Sequence, residues 1–198
     1  MTMPREPVAA KEALRECFLD SRRRRSPVER SSAAAAVTTA LLGGLAGVRT
    51  LAAYVPEETE PGAGRLPAAY TQLGARVLLP VVPPEGRDLS WAVDTGRLAP
   101  GRYGVKEPVG PRLGLTAIGA ADVVVVPALA VDTSGNRLGR GGGYYDRALV
   151  HARPDAVLVA VVFDDEVVDE LPAEPHDRRV SAVVTPSRGW WRLGSAGE

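Results

Sequence analysis

Residues 136–149 read NRLGRGGGYYDRAL, with four glycines (Gly139, Gly141, Gly142, Gly143) and two arginines (Arg137, Arg140) inside seven positions. A helix-like run, YYDRALVHA (144–152), follows directly. Glycine lets backbone approach a ligand closely, the N–H groups of such a loop and of the first helical turn can face an anion, and the helix dipole favours negative charge there. Arg137 and Arg140 add charge-assisted hydrogen bonds suited to phosphate oxygens. The chemistry points to a polyphosphate. Two familiar phosphate loops do not fit: a P-loop needs Gly-Lys-Ser/Thr where Tyr144 and Tyr145 stand. The dinucleotide fingerprint, counted from Gly139 and Gly141, needs a small residue at Tyr144. The bland alternative, a flexible glycine turn, leaves the paired arginines and the Tyr-Tyr-Asp start unexplained.

Asp146, in the first turn of that helix, either caps backbone N–H groups or faces a Mg²⁺ ion bridging phosphates. Mg²⁺ on a nucleotide takes one or two carboxylates besides phosphate and water, and Asp177 in LPAEPHDRR (171–179) offers the second. His151 and His176 have no partners at metal-ligand spacing and read as surface or capping residues. The single cysteine, Cys17, excludes an internal disulfide framework and suits a reducing cytoplasm.

The elements that must position these groups follow from periodicity. Residues 6–20 predict a helix with Ala13, Leu14, Cys17 and Phe18 on its core face, and with Lys11 and Arg15 sharing another face. Arg22–Arg25 reads as its solvated basic end. Ser26, Pro27 and Glu29 have the layout of a capping box, opening a second helix to about Leu42. Short apolar runs at 50–55 and 76–82 predict strands around a weak helical stretch, 63–74. A Pro/Gly-rich excursion (83–111) leads to ADVVVVPALAV (121–131), a central strand buried on both faces. Further strands are expected at 156–163 and 180–186, then an irregular tail (187–198) in which Trp190 and Trp191 cover an edge. With two leading helices in 1–46 packed on it, this order predicts one α/β domain over 1–198. Its sheet is open, mainly parallel, layered by helices and Rossmann-like. Ligands of such sheets sit beyond the carboxyl ends of strands, where 136–149 falls.

The chain has 198 residues, 45 % of them hydrophobic and 24 % charged, which is ordinary for a globular protein. Lys+Arg and Asp+Glu both number 24, so no net positive field suggests nucleic acid, and any anion site must be local. No apolar stretch reaches membrane-spanning length and the N-terminus lacks a secretory layout. A cytoplasmic monomer, with no nucleic-acid or membrane partner, is expected.

The run VVVPALAVDTSGNRLGRGGGYYDRAL (124–149) resembles the strand, loop and ATP-phosphate segment of the 5-formyltetrahydrofolate cyclo-ligases, also called methenyltetrahydrofolate synthetases. KEALR (11–15), YVPEETEPG (54–62), GRYGVKEP (101–108), FDDEVVDELPAEPHD (163–177) and VVTP (183–186) extend the resemblance, in the same order, over nearly the whole chain. The resemblance implies an enzyme that uses ATP and Mg²⁺ to phosphorylate the formyl oxygen of 5-formyltetrahydrofolate, after which N10 closes onto the activated carbon. The products are 5,10-methenyltetrahydrofolate, ADP and phosphate. It further implies that Lys11, Arg15, Arg137 and the segment Gly139, Arg140, Gly141, Gly142, Gly143, Tyr144 and Tyr145 contact ATP, and that Asp146 and Asp177 hold Mg²⁺. Glu60 would hydrogen-bond the pterin, Val55 line its pocket and Tyr103 offer a stacking surface, with Arg140 and Tyr144 where phosphates and formyl group meet. Arg137 and Arg140 are the candidates to offset charge on the transferring phosphoryl group, a reaction that needs positioning and no covalent nucleophile. Three positions depart from the family's pattern: Val131 (commonly aromatic), Glu166 (usually Gln) and Ser181 (often Asp). Glu166 therefore predicts an added carboxylate in or near the pocket. Two other readings use the same segment: a nucleotide, folate or sugar-phosphate sensor, and a phosphosugar isomerase drawing on Glu107 or Asp132. Asp132 either touches a ligand or braces its loop.

Overall fold

A computed structural model describes residues 6–173 and 178–193; Asp177, His176 and the last five residues lie outside the described residues. Two helices come first, α1 (Glu6–Arg24) and α2 (Pro27–Gly44). Strands follow as β1 (Thr50–Ala52), β2 (Arg76–Val81), β3 (Ser90–Val93), β4 (Leu98–Pro100), β5 (Lys106–Pro108) and β6 (Arg112–Gly114). The second half carries β7 (Val123–Pro127), β8 (Ala130–Asp132), β9 (Arg137–Leu138), α3 (Tyr144–Leu149), β10 (Val157–Val161), β11 (Val167–Val168), β12 (Ala182–Thr185) and β13 (Gly189–Arg192).

Among the described residues, eight strands form one sheet in the order β13-β12-β10-β7-β1-β2-β3-β6. Its five central strands are parallel and the edges antiparallel, so the architecture is the mainly parallel, Rossmann-like α/β sheet expected. Counted in chain order, the parallel strands run second, first, third, fourth, fifth across the sheet. The order reverses between β1 and β7, and a crevice opens at such a switch point. Val124 and Val126 of β7 point to a core with Trp91, Ile118 and Leu149, while Val123 and Val125 point to the opposite core with Val37, Leu41 and Tyr70. Both sheet faces are thus covered, which is why β7 reads as an unbroken apolar run.

α2 starts as its sequence dictates. Ser26 Oγ accepts from the Glu29 N–H (3.2 Å), Glu29 Oε2 accepts from the Ser26 N–H (2.7 Å), and Pro27 occupies the first turn. Three expectations change. The central run breaks at Pro127, which has no N–H to continue the ladder, and residues 130–132 pair instead with β9 and β11 in a separate small sheet. The tail contains an ordered edge strand, β13, whose Trp190 ring packs against Gly44. On α1 the packed stripe is Leu14, Phe18 and Leu19 against Leu129, Leu138 and Leu171, leaving Cys17 exposed.

Candidate functional site

The hairpin β8–β9 swings the glycine segment back over the carboxyl end of β7. The result is a cavity of about 640 Å³ bounded by Tyr54 and Val55 after β1, Pro127 and Ala128 at the end of β7, and residues 137–146. This is the switch-point crevice. α1 lies along its rim and contributes Lys11 and Arg15, and Tyr103 closes the far side. Of the residues singled out in the sequence, Lys11, Arg15, Val55, Glu60, Tyr103, Arg137, Gly139–Tyr145 and Asp146 all border this one cavity. Asp177 lies outside the described residues.

Two glycines in the segment are conformationally required. Gly141 (φ 89°) and Gly143 (φ 70°) are left-handed, and a Cβ on Gly141 would press on the Arg15 guanidinium at 3.3 Å. Arg15 Nε donates to the Gly139 carbonyl (2.9 Å), which ties α1 to the segment. α3 is only six residues long, shorter than the expected 144–152.

Each arginine already has a carboxylate partner. Arg137 pairs with Asp146, which stands half exposed at the start of α3. Arg140 spans two acceptors, Glu57 Oε2 at 2.8 Å and Glu60 Oε1 at 3.2 Å. Glu60 is buried, and its other oxygen accepts from the Glu57 N–H (2.9 Å). Burial pushes the Glu60 carboxyl above the ordinary carboxylate range, against the pull of the Glu57 N–H and the Arg140 and Arg22 guanidinium groups. Burial likewise raises the Tyr54 and Tyr145 hydroxyls, so both remain neutral phenols. Tyr103, 74 % exposed, holds a left-handed backbone (φ 56°) that is strained for an aromatic residue. Two buried polar atoms on the cavity wall, Arg137 Nε and Tyr145 Oη, have no hydrogen-bond partner among the described residues.

Sequence reasoning missed Glu57, Tyr54 and Arg22. Arg22 is fully buried, not part of a solvated basic end. Its position seven after Arg15 and eleven after Lys11, on the same helical stripe, was the available signal. Arg25 also turns inward, stacking 4.0 Å from the centroid of Phe163, while Arg23 and Arg24 are exposed. Asp132 braces its loop: it accepts from the Ser134 and Asn136 N–H groups (both 2.9 Å), Asn136 Nδ2 (2.8 Å) and the Leu171 N–H (3.0 Å). Glu107 accepts from the Val82 N–H (2.9 Å), so neither carboxylate is a free acid/base for isomerisation.

The sequence profile of the 5-formyltetrahydrofolate cyclo-ligase family matches residues 7–186. The chain belongs to that family. It is 45 % identical over 185 residues to a 5-formyltetrahydrofolate cyclo-ligase of Mycolicibacterium smegmatis, covering 91 % of this chain and 95 % of that one. The cyclo-ligase of Escherichia coli K12 is 32 % identical over 147 residues, 71 % of this chain and 80 % of the relative. Among solved structures, the Aquifex aeolicus 5,10-methenyltetrahydrofolate synthetase superposes with a TM-score of 0.73 at 26 % identity, covering 95 % of both chains. The chain is thus an enzyme of the cyclo-ligase family. The three positions expected from the sequence to depart from the family's pattern lie behind the cavity rather than in it. Glu166 is buried against Arg22 and does not line the wall, Val131 is core, and Ser181 hydrogen-bonds the Leu158 backbone.

Proposed function

We propose that the protein cyclises 5-formyltetrahydrofolate to 5,10-methenyltetrahydrofolate at the expense of ATP, releasing ADP and phosphate. The observation that carries this is one cavity with two unlike walls joined by Arg140. One wall is glycine-rich and basic; the other is apolar and holds the buried Glu60. Lys11, Arg15, Arg137 and the 139–145 segment take the ATP phosphates. Val55 and Tyr103 take the flat pterin, and the Glu60 carboxylate accepts from its N–H donors. The formyl oxygen attacks the γ-phosphorus as the bond to ADP breaks, with Arg137 and Arg140 offsetting the charge on the phosphoryl oxygens. N10 then adds to the activated carbon, gives up its proton to solvent, and phosphate departs. The same arginines are free for this only after phosphate displaces Asp146, Glu57 and Glu60, so substrate binding re-partners existing ion pairs.

The donor set fits Mg²⁺. Asp146 places a hard carboxylate beside the phosphate segment, and a cation that keeps several waters and binds substrate phosphates needs few protein ligands. Asp146 and Asp177 are the residues that would hold it, and when bound it would neutralise phosphate charge. The working unit is a cytoplasmic monomer without nucleic-acid or membrane partners; among the described residues no helix is long and apolar enough to cross a membrane.

The test mixes purified protein, 5-formyltetrahydrofolate, ATP and Mg²⁺ and follows the near-ultraviolet absorbance of the methenyl product. A rise that requires both ATP and Mg²⁺ is expected. No rise, with ATP still bound, would overturn the substrate assignment.

A further inference from the structure

The Arg22–Glu166 pair has features that stability alone does not account for. Both side chains are fully buried. Arg22 Nε and Nη2 donate to the two Glu166 oxygens at 2.7 and 2.8 Å, and Nη2 also donates to the Ala128 carbonyl at 2.7 Å. Glu166 is itself anchored by the Phe163 N–H (2.8 Å). Two edges of a planar guanidinium are therefore fixed, which fixes the direction of the third nitrogen, Nη1. That nitrogen is buried, has no hydrogen-bond partner among the described residues, and stands 3.8 Å from Glu60 Oε1. The same oxygen receives Arg140 from the cavity side at 3.2 Å. A buried ion pair is often no more stabilising than neutral side chains of the same shape, so its geometry is the more informative property.

We propose that Arg22 is a positioning residue: clamped from behind by Glu166, it keeps the Glu60 carboxylate oriented and ionised while Arg140 leaves Glu60 for the phosphoryl group. This rests on the cyclo-ligase reading above. Among the described residues the Glu60 carboxylate otherwise has only the Glu57 N–H to hold it, and burial and the Glu57 carboxylate on its own loop disfavour its charge; the other titratable groups facing it, Tyr54 after β1 and Tyr145 on α3, are neutral phenols. Among the described residues, Arg22 from α1 and Arg140 from the glycine segment are the cations facing it. With Arg140 engaged elsewhere, Arg22 is the one that remains. The pair also joins the two sequence surprises, a charge at the end of α1 and a carboxylate at 166, into one device.

The test compares wild type, the neutral pair Arg22→Met/Glu166→Gln and single Glu166→Gln. The carbon-13 resonance of the Glu60 carboxylate, assigned by its loss in Glu60→Gln, gives the pH midpoint of that group without substrate. In the double variant the midpoint rises by about one unit and the KM for 5-formyltetrahydrofolate rises about tenfold, while the KM for ATP stays within about twofold. In Glu166→Gln, where the Arg22 charge is no longer shared, the midpoint falls. An unmoved midpoint in the double variant overturns the proposal, as does a moved midpoint with an unchanged folate KM. Should the double variant fail to fold, an unmoved midpoint in Glu166→Gln overturns it equally. A wild type without turnover removes the cyclo-ligase reading, while the Glu60 midpoint still decides whether Arg22 holds that carboxylate.

Discussion

Asp132, at the end of β8, and Glu60, in the loop after β1, are both acidic and both buried, at 1 % and 7 % exposure. Their surroundings differ. Asp132 accepts four hydrogen bonds, three from Ser134 and Asn136 in its own turn and one from Leu171, which occupies its lone pairs and locks the turn 132–136 that leads into the glycine segment. Glu60 has one backbone donor and two guanidinium groups on its other oxygen, and it borders the cavity. A sated buried carboxylate is scaffold; an under-satisfied one beside open volume is available for a ligand. Burial alone would have ranked them together.

The comparison breaks most visibly in stability. Asp132→Ala strands the buried Leu171 N–H and the half-buried Ser134 and Asn136 N–H groups and is expected to cost about 4 kcal/mol, lowering the melting temperature by roughly 8–16 °C, with the ATP KM of the folded fraction unchanged. Lost turnover at unchanged stability would give Asp132 a ligand role after all. Glu60→Gln should do the reverse. It keeps the shape and relieves a buried charge, so thermal unfolding is unchanged or later, while kcat/KM for 5-formyltetrahydrofolate falls about 100-fold, or about 2.7 kcal/mol. Lys11→Ala sharpens the contrast between the two walls, raising the ATP KM about tenfold and leaving the folate KM alone. Equal effects on both would mean that α1 does not serve the nucleotide side. The smallest effect is in pH. Because burial raises the Glu60 carboxyl, protonation removes its acceptor at a pH above the ordinary carboxylate value of 4.5, and the acid limb of kcat/KM should lie above that value. The linkage has the opposite sign for stability: a raised carboxyl favours the folded state below its unfolded value and loses that contribution as pH rises through the folded one. Glu60→Gln should abolish both dependences.

Local chemistry was readable from the sequence, and tertiary pairing was not. The capping box at Ser26, both long helices, the first half of the central apolar run and the start of the helix after the glycine segment depend on neighbours within a few residues, and they stand where the pattern placed them. The four strands within 83–114 have three or four residues each, in Pro/Gly-rich sequence, and form because partners such as β2 and β3 meet edge to edge. The break at Pro127 was visible as a proline but was outweighed by the apolar run around it. The helical stripe shared with Lys11 and Arg15 marked Arg22 as facing the site, but its full burial depends on a partner, Glu166, that lies 144 residues away. Cys17 shows the converse error, an apolar-looking position one step off the true stripe.

The most direct measurement is parallel turnover and thermal unfolding of the wild type and Glu60→Gln, with 5-formyltetrahydrofolate, ATP and Mg²⁺. The predicted result is ATP- and Mg²⁺-dependent methenyl formation in the wild type, about 100-fold weaker in a variant that melts no earlier. Equal rates in the two proteins, or a loss of activity that tracks a loss of fold, would contradict the assignment of Glu60 as the residue that receives the folate.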